Sequence, residues 1–445
     1  MKRLRIEAGL LVDGSGAQPI KSGAVLVEGG HILEVGPAAA VATPEGTLTV
    51  SFPGSTLMPG LVDCHTHINM PGDGSSVEQS AADGNDMLLL RSAANVRIML
   101  QHGVTTASEN GAFGTTAYVV KEAIQRRVVQ GPRLFVCGRA LTMTGGHAWP
   151  FGGEADGVDG LRLAVRRLFK EGADYIKVMA TGGSTLNTAR ARASYSAEEL
   201  KAITDEAHAW GRIAVAHATG NLGIARCLDA GFDLISHCSF YEPEPHERAW
   251  PDPFRRRLDF GRYAYRADIA RRIADQGIPV NPTMHTHRIR IHRMQRLATQ
   301  RPLTENEKRD LENLNASYAE RCDYFQKLLE AGVILVAGSD CGWGPPVNAF
   351  YAEVEAMVDA GMSANEAVVA ATLASARAMG IAHEVGSLER GKRADLLLVD
   401  GDPTSDIRAL GRVVAVYMDG EAVALPSDVR NFAVCREHSN NTSTS

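Results

Sequence analysis

Seven cysteines are all that the 445 residues contain, and no two of them form a Cys-x-x-Cys pair. An odd number scattered along so long a chain is poor material for a disulfide framework, so reduced thiols are expected. No run of 18 apolar residues occurs, which leaves no candidate membrane-spanning helix. Met1 to Glu7 is partly basic, but the apolar stretch Ala8 to Val12 is too short for the core of a secretion signal, so a cytoplasmic location is expected. On that expectation the sequon Asn440-Asn441-Thr442, in a polar tail, reads as chance. Positive charge is not in excess either: 46 Lys and Arg face 52 Asp and Glu, a net charge of −6. That gives no electrostatic reason to expect nucleic acid. The glycine pairs Gly152-Gly153 and Gly182-Gly183 fit neither common phosphate-binding pattern and read as tight turns.

What is present is a globular composition, 44% hydrophobic and 22% charged. Residues 1–57 read as short strands and turns, and the same texture returns at 385–425, so one small β-sandwich domain formed by both chain ends is expected. Residues 426–445 read as a polar tail. Between the two ends, eight apolar runs alternate with helical patterns: Leu57 to Val62, Val104 to Ala107, Arg133 to Cys137, Tyr175 to Met179, Ile213 to Ala216, Leu234 to Ile235, Ile278 to Val280 and Ile334 to Ala337. Capping boxes at Ser196/Glu199 and Ser363/Glu366 mark helix starts. This α/β pattern over 58–384 predicts a (β/α)8 TIM barrel, whose chemistry sits at the carboxyl ends of the strands. The long segment from Phe240 to Leu329 is rich in arginine, including Arg255, Arg256, Arg257, Arg262, Arg266, Arg288, Arg290 and Arg293. Most of these read as solvated helix faces, with at least one meeting a substrate anion.

His65-Thr66-His67 closes the first strand, and residues two apart on a strand share a face. His217 ends the fifth strand, His237 the sixth and Asp340 the eighth, so five metal-capable groups share one rim. Lys177 ends the fourth strand, where an inward ammonium needs a partner. It reads either as a lysine snorkelling to the rim or as one that has added CO2, giving an anionic carbamate that bridges two cations. Cys64, Cys238 and Cys341 adjoin proposed ligands; by alternation Cys64 should face the helix layer as a small buried hydrophobe.

Several segments resemble the metal-dependent amidohydrolase superfamily: Met58-Pro59-Gly60-Leu61-Val62-Asp63-Cys64-His65-Thr66-His67, Tyr175-Ile176-Lys177, Ala216-His217, Ser236-His237, Gly338-Ser339-Asp340 and the stretch Gly386 to Leu396. The match runs from about residue 5 to 425. Thr144-Gly145-Gly146-His147 and Val178 to Gly183 look like the imidazolonepropionase-related branch, which includes Xaa-Pro and Xaa-Arg dipeptidases. The resemblance implies that His65, His67 and Asp340 hold a buried divalent ion and His217 and His237 an outer one, with carboxylated Lys177 and a hydroxide between them. Zn2+ suits such ligands, and Mn, Co or Fe would also fit. Imidazolonepropionase uses one metal and lacks the lysine, so Lys177 argues for the two-metal, dipeptidase-like arrangement. Self-association as a homo-oligomer is a further family-based expectation.

Two dications lower the pKa of water and polarise a carbonyl, with Asp340 placed to move the proton onto the leaving nitrogen. Hydrolysis of an amide C–N bond follows, the expected substrates being dipeptides or N-acyl amino acids. His147 either donates a hydrogen bond to the developing oxyanion or packs its loop. Tyr241, His285 and His287 are candidates to line the pocket. The alternatives are a hydrolase of a neutral xenobiotic amide, carbamate, urea or organophosphate ester, and a barrel that has lost turnover and only binds.

Overall fold

Fifteen strands run through the described residues: β1 (Arg3–Leu11), β2 (Ile20–Glu28), β3 (His31–Pro37), β4 (Leu48–Pro59), β5 (Leu61–Thr66), β6 (Val104–Glu109), β7 (Arg133–Val136), β8 (Ile176–Met179), β9 (Ala214–Gly220), β10 (Leu234–Glu242), β11 (Arg262–Tyr263), β12 (Val280–Asn281), β13 (Leu396–Asp400), β14 (Val413–Met418) and β15 (Glu421–Ala422). The structure, a computed structural model, describes residues 3–243 and 261–425. Arg255, Arg256, Arg257, the sequon and the polar tail lie outside the described residues.

Both chain ends meet in a seven-stranded sheet of order β15-β14-β13-β4-β1-β2-β3. Where a two-sheet sandwich was expected, the ladders form this single continuous sheet, with only the β1–β4 pair parallel. The reason is that β4 pairs with β1 on one side and β13 on the other, splicing the two terminal segments together. Ile6, Leu11, Val25, Ile32, Leu57, Leu396 and Leu398 form its buried cluster. Gly60 joins β4 directly to β5: a Cβ there would stand 2.1 Å from Thr105 Oγ1, so the close approach requires glycine. The sheet is thereby anchored to the strand that carries His65.

In the middle of the chain β5-β6-β7 form one parallel sheet and β8-β9-β10 another, with β12 beside β10 and β11 antiparallel on its far end. Every residue of β5, β6, β8 and β9 is buried, as expected of parallel strands covered on both faces. The ladders do not close into the expected barrel. Between β7 and β8 there is only a parallel bridge, Leu141 to Val178, and the predicted eighth strand survives as single bridges from Leu335 to Val280 and from Cys341 to Thr66. The cause is local. Residues 339–341 turn away from strand geometry, Asp340 taking φ +53°; the Asp340 amide still reaches the His65 carbonyl of β5, but the Ser339 and Cys341 amides bond the side chains of Asp63 and Ser339.

Cys64, Cys137, Tyr175, Val215, Leu234 and Val336 form one buried cluster. Cys64 packs among residues of the strand segments and also beside Ser375 of the helix Ser375–Ala378, so it does meet a covering helix as alternation suggested. Its thiol donates to the Ala337 carbonyl, and burial pushes its ionisation well up, so it behaves as the inert buried hydrophobe expected. The six cysteines among the described residues are free. Both capping boxes form, Ser196 with Glu199 and Ser363 with Glu366. The arginine-rich segment supplies two packed helices, His285–Gln300 and Glu305–Glu330, which roof the carboxyl ends of the strands. Among the described residues, no helix is long and apolar enough to cross a membrane.

Candidate active site

His65 and His67 leave the end of β5 on the same side, as their two-residue spacing requires, and meet Asp340. His65 Nε2 lies 3.6 Å and His67 Nε2 3.3 Å from Asp340 Oδ1. Ligand atoms of all three lie within 4.8 Å of one another. Which nitrogens carry protons follows from the other side of each ring. His67 Nδ1 faces the Gly111 carbonyl at 3.1 Å; a carbonyl only accepts, so Nδ1 holds a proton and, in the neutral ring, Nε2 keeps the lone pair. His65 Nδ1 faces Asn281 Oδ1 at 3.0 Å. The Asn281 amide cannot be turned over, because its Nδ2 donates to the carbonyls of Val336 and Gly338. His65 Nε2 is thus unprotonated as well. Burial first, then the charge of Lys177, holds this ring well below the usual histidine range.

In their neutral forms both rings therefore turn an Nε2 lone pair toward the Asp340 carboxylate oxygen. Such opposed acceptors are unfavourable alone and are relieved by a cation. With two neutral imidazoles and a carboxylate as donors, the set fits a borderline divalent ion. Asp63 bolts the segments that carry His65 and Asp340 together, accepting from the His65 amide, the Ser339 amide and the Ser339 hydroxyl.

A row of imidazoles continues from this cluster. Ring centroids are 5.2 Å apart for His65 and His237, 4.5 Å for His237 and His217, and 4.5 Å for His217 and His147. Burial is the main cause holding all three added rings neutral; His217 is pulled down to about 3. His217 Nε2 donates to the Gly182 carbonyl at 3.1 Å, leaving its lone pair on Nδ1. His237 Nδ1 meets the Thr283 hydroxyl at 2.8 Å, and Arg321 holds Thr283 through its carbonyl and hydroxyl. His237, Cys238, Phe240, Thr283 and Asp340 all have positive φ. These strand ends carry backbone strain where side chains converge.

Lys177 is completely buried. Its Nζ donates to Ser236 Oγ at 3.1 Å, and burial pulls its pKa down to about 8. Together with Asp340 and the four histidines 65, 67, 217 and 237 it lines one cavity of about 1010 Å³. His147, Tyr241 and His287 line the same cavity. His285 does not: it is buried at the start of the roofing helix, its amide held by Glu353. Of the arginines singled out, Arg290 and Arg293 reach the cavity, while Arg262, Arg266 and Arg288 are paired with acidic neighbours. Sequence reasoning missed Asn281, Thr283, Thr185, Arg190 and Arg321. A polar residue at a strand end was the only signal for Asn281 and Thr283; the others had none.

The description "Amidohydrolase family" belongs to a family model that matches residues 56–423. An ochratoxinase of Aspergillus niger is 28% identical over 450 residues, covering 92% of this chain and 84% of its own. A crystal structure of A. niger ochratoxinase superposes with a TM-score of 0.77 at 27% identity, covering 96% of each chain. An imidazolonepropionase of Caldanaerobacter subterraneus subsp. tengcongensis is 23% identical over 415 residues, 86% of this chain and 85% of its own. The crystal structure of a Xaa-Pro dipeptidase with bound methionine in the active site has a TM-score of 0.77 at 25% identity, covering 95% of this chain and all of that one. The chain belongs to the amidohydrolase family, in its imidazolonepropionase-related branch, and is a hydrolase of C–N bonds.

Proposed function

We propose that the cavity is the active centre of a two-metal amidohydrolase that cleaves dipeptides or N-acyl amino acids. The observation that carries this reading is the convergence of His65 Nε2 and His67 Nε2 on the Asp340 carboxylate, with each Nδ1 turned to a fixed acceptor on its other side. His65, His67 and Asp340 would hold one divalent ion and His217 and His237 a second, Zn2+ suiting the mixed donors. Lys177, as the free amine, would add CO2, forming an N–C bond and releasing a proton, and its carbamate would offer the ions a further anionic donor. In support, the ammonium is fully buried beside a single hydroxyl, a costly arrangement if it stays charged. Divalent ions held there supply Lewis acidity toward water and toward the scissile carbonyl.

Asp340 takes a proton from the attacking water as the new C–O bond forms. It returns that proton to the nitrogen as the C–N bond breaks, so the amine leaves neutral. His147 donates a hydrogen bond to the carbonyl oxygen as charge builds on it. The broken ladders are read as a (β/α)8 barrel completed by the bridges at Leu141, Leu335 and Cys341, supported by the buried cluster drawn from six strand segments. Domain boundaries at 57/58 and 384/385 accompany that reading.

A second reading, a hydrolase of neutral aryl amides, carbamates, ureas or organophosphate esters, is favoured by one observation. Val77, Met179, Met294, Leu314 and Trp343 give the cavity an apolar wall. The deciding experiment is elemental analysis followed by a screen of dipeptides, N-acyl amino acids and neutral amides. Near two metals per chain, with activity lost on removing the substrate carboxylate, is the expected result. Fewer than about 0.2 metal per chain after supplementation overturns the mechanism.

A further inference from the structure

The turn after β8 holds His147 from two sides. Gly183 lies flat against its ring: a Cβ at that position would stand 2.3 Å from Nε2 and 2.4 Å from Cδ2. On the other side Thr185 Oγ1 lies 2.7 Å from His147 Nδ1 and accepts the Ala148 amide at 2.8 Å. Thr188 pins the turn, its hydroxyl taking the Gly183 amide and donating to the Thr185 carbonyl.

Thr185 is 3% exposed. Were Nδ1 protonated, the Thr185 oxygen would receive two N–H donors and its own proton would be buried without an acceptor, since no other acceptor among the described residues is bonded to it. A buried hydroxyl proton left unpaired is costly. The hydroxyl therefore donates to Nδ1, and the imidazole proton sits on Nε2. No hydrogen bond from a described residue reaches that nitrogen, and the ring lines the cavity.

We infer that Thr185 is a positioning residue that locks His147 in its Nε2–H tautomer, making it a standing donor toward the substrate carbonyl. The inference rests on the hydrolase reading for the donor's purpose, not for the tautomer itself. Gly183 and Thr185 line the same cavity; their part is to remove the alternative orientation and the alternative protonation before substrate arrives.

The test is nitrogen NMR of metal-loaded protein labelled with 15N-histidine, the His147 signals assigned by their loss in His147→Gln. Wild type should show a protonated Nε2 and a bare Nδ1. Thr185→Val should lose that pattern and lower kcat by about 10- to 100-fold with KM within about twofold, whereas Thr185→Ser should restore both. A wild-type Nδ1–H, a tautomer unchanged in Thr185→Val, or an unchanged kcat despite a lost tautomer overturns the inference. If no amide in the screen is hydrolysed, the hydrolase reading fails while the NMR arm still decides the tautomer.

Discussion

The side-chain oxygen of Asn281 lies 3.0 Å from His65 Nδ1, and two backbone carbonyls on the far side of the amide keep it facing that way. A residue on β12 therefore decides which nitrogen of a β5 histidine is bare. Asn281→Leu keeps roughly the volume but removes the acceptor, freeing His65 to protonate Nε2. Metal affinity should fall about 10- to 100-fold, read by competition with a chelator dye; an unchanged affinity contradicts the assignment.

Among the described residues, Asp340 is the carboxylate that faces both imidazoles of the cluster. Asp340→Asn preserves shape and removes the base. A drop in kcat of about 10²- to 10⁴-fold is expected, with a thermal midpoint close to wild type. Retained turnover assigns the proton transfers elsewhere.

At Gly183 even one methyl group has no room, because the His147 ring fills the space and Thr185 prevents it from retreating. Gly183→Ala should lower kcat at least about tenfold and cost about 1–3 kcal/mol in urea unfolding, the usual range for overpacking. A variant with full activity and stability shows that the ring yields freely.

Glu353 is buried beneath the roofing helix and accepts the amides of Met284 and His285. Burial outweighs those bonds and pushes its carboxyl up to about 8 from an unfolded value of 4.5. The folded chain therefore holds a proton that the unfolded chain has lost, and this contribution to stability is full below pH 4.5 and disappears as pH rises through 8. Urea titrations from pH 5 to 8 should show wild type losing stability relative to Glu353→Gln. Parallel curves would mean that Glu353 is ionised in the folded state throughout.

Much of the cavity lining was legible because the proposed ligands end apolar runs. His65 and His67 followed from spacing on one strand, and Lys177, His217 and His237 from the same rule repeated along the chain. Nine of the ten residues nominated for the site line one cavity, His285 being the exception. It failed because the chain after β12 turns at once into a helix, which swings His285 toward Glu353 and leaves His287 on the cavity side. The last strand was overestimated for a related reason: Ile334 to Ala337 has the composition of a strand, but its backbone bonds go to Val280 on one side, Cys64 on the other and Ala370 at its end, which makes a bridge at Leu335 but not a longer ladder.

The amino-acid order alone determined which chemical groups exist, which of them share a strand face, and that both termini would build sheet. Proton placement it did not determine. The partners that fix His65 and His67 stand 216 and 44 residues away in the chain, and no local pattern encodes a pairing across such a separation. Only folding brings Asn281 and Gly111 to those rings and buries them. On that cavity wall a neutral imidazole turns its one proton to the nearest fixed acceptor, which leaves the opposite nitrogen bare for a cation.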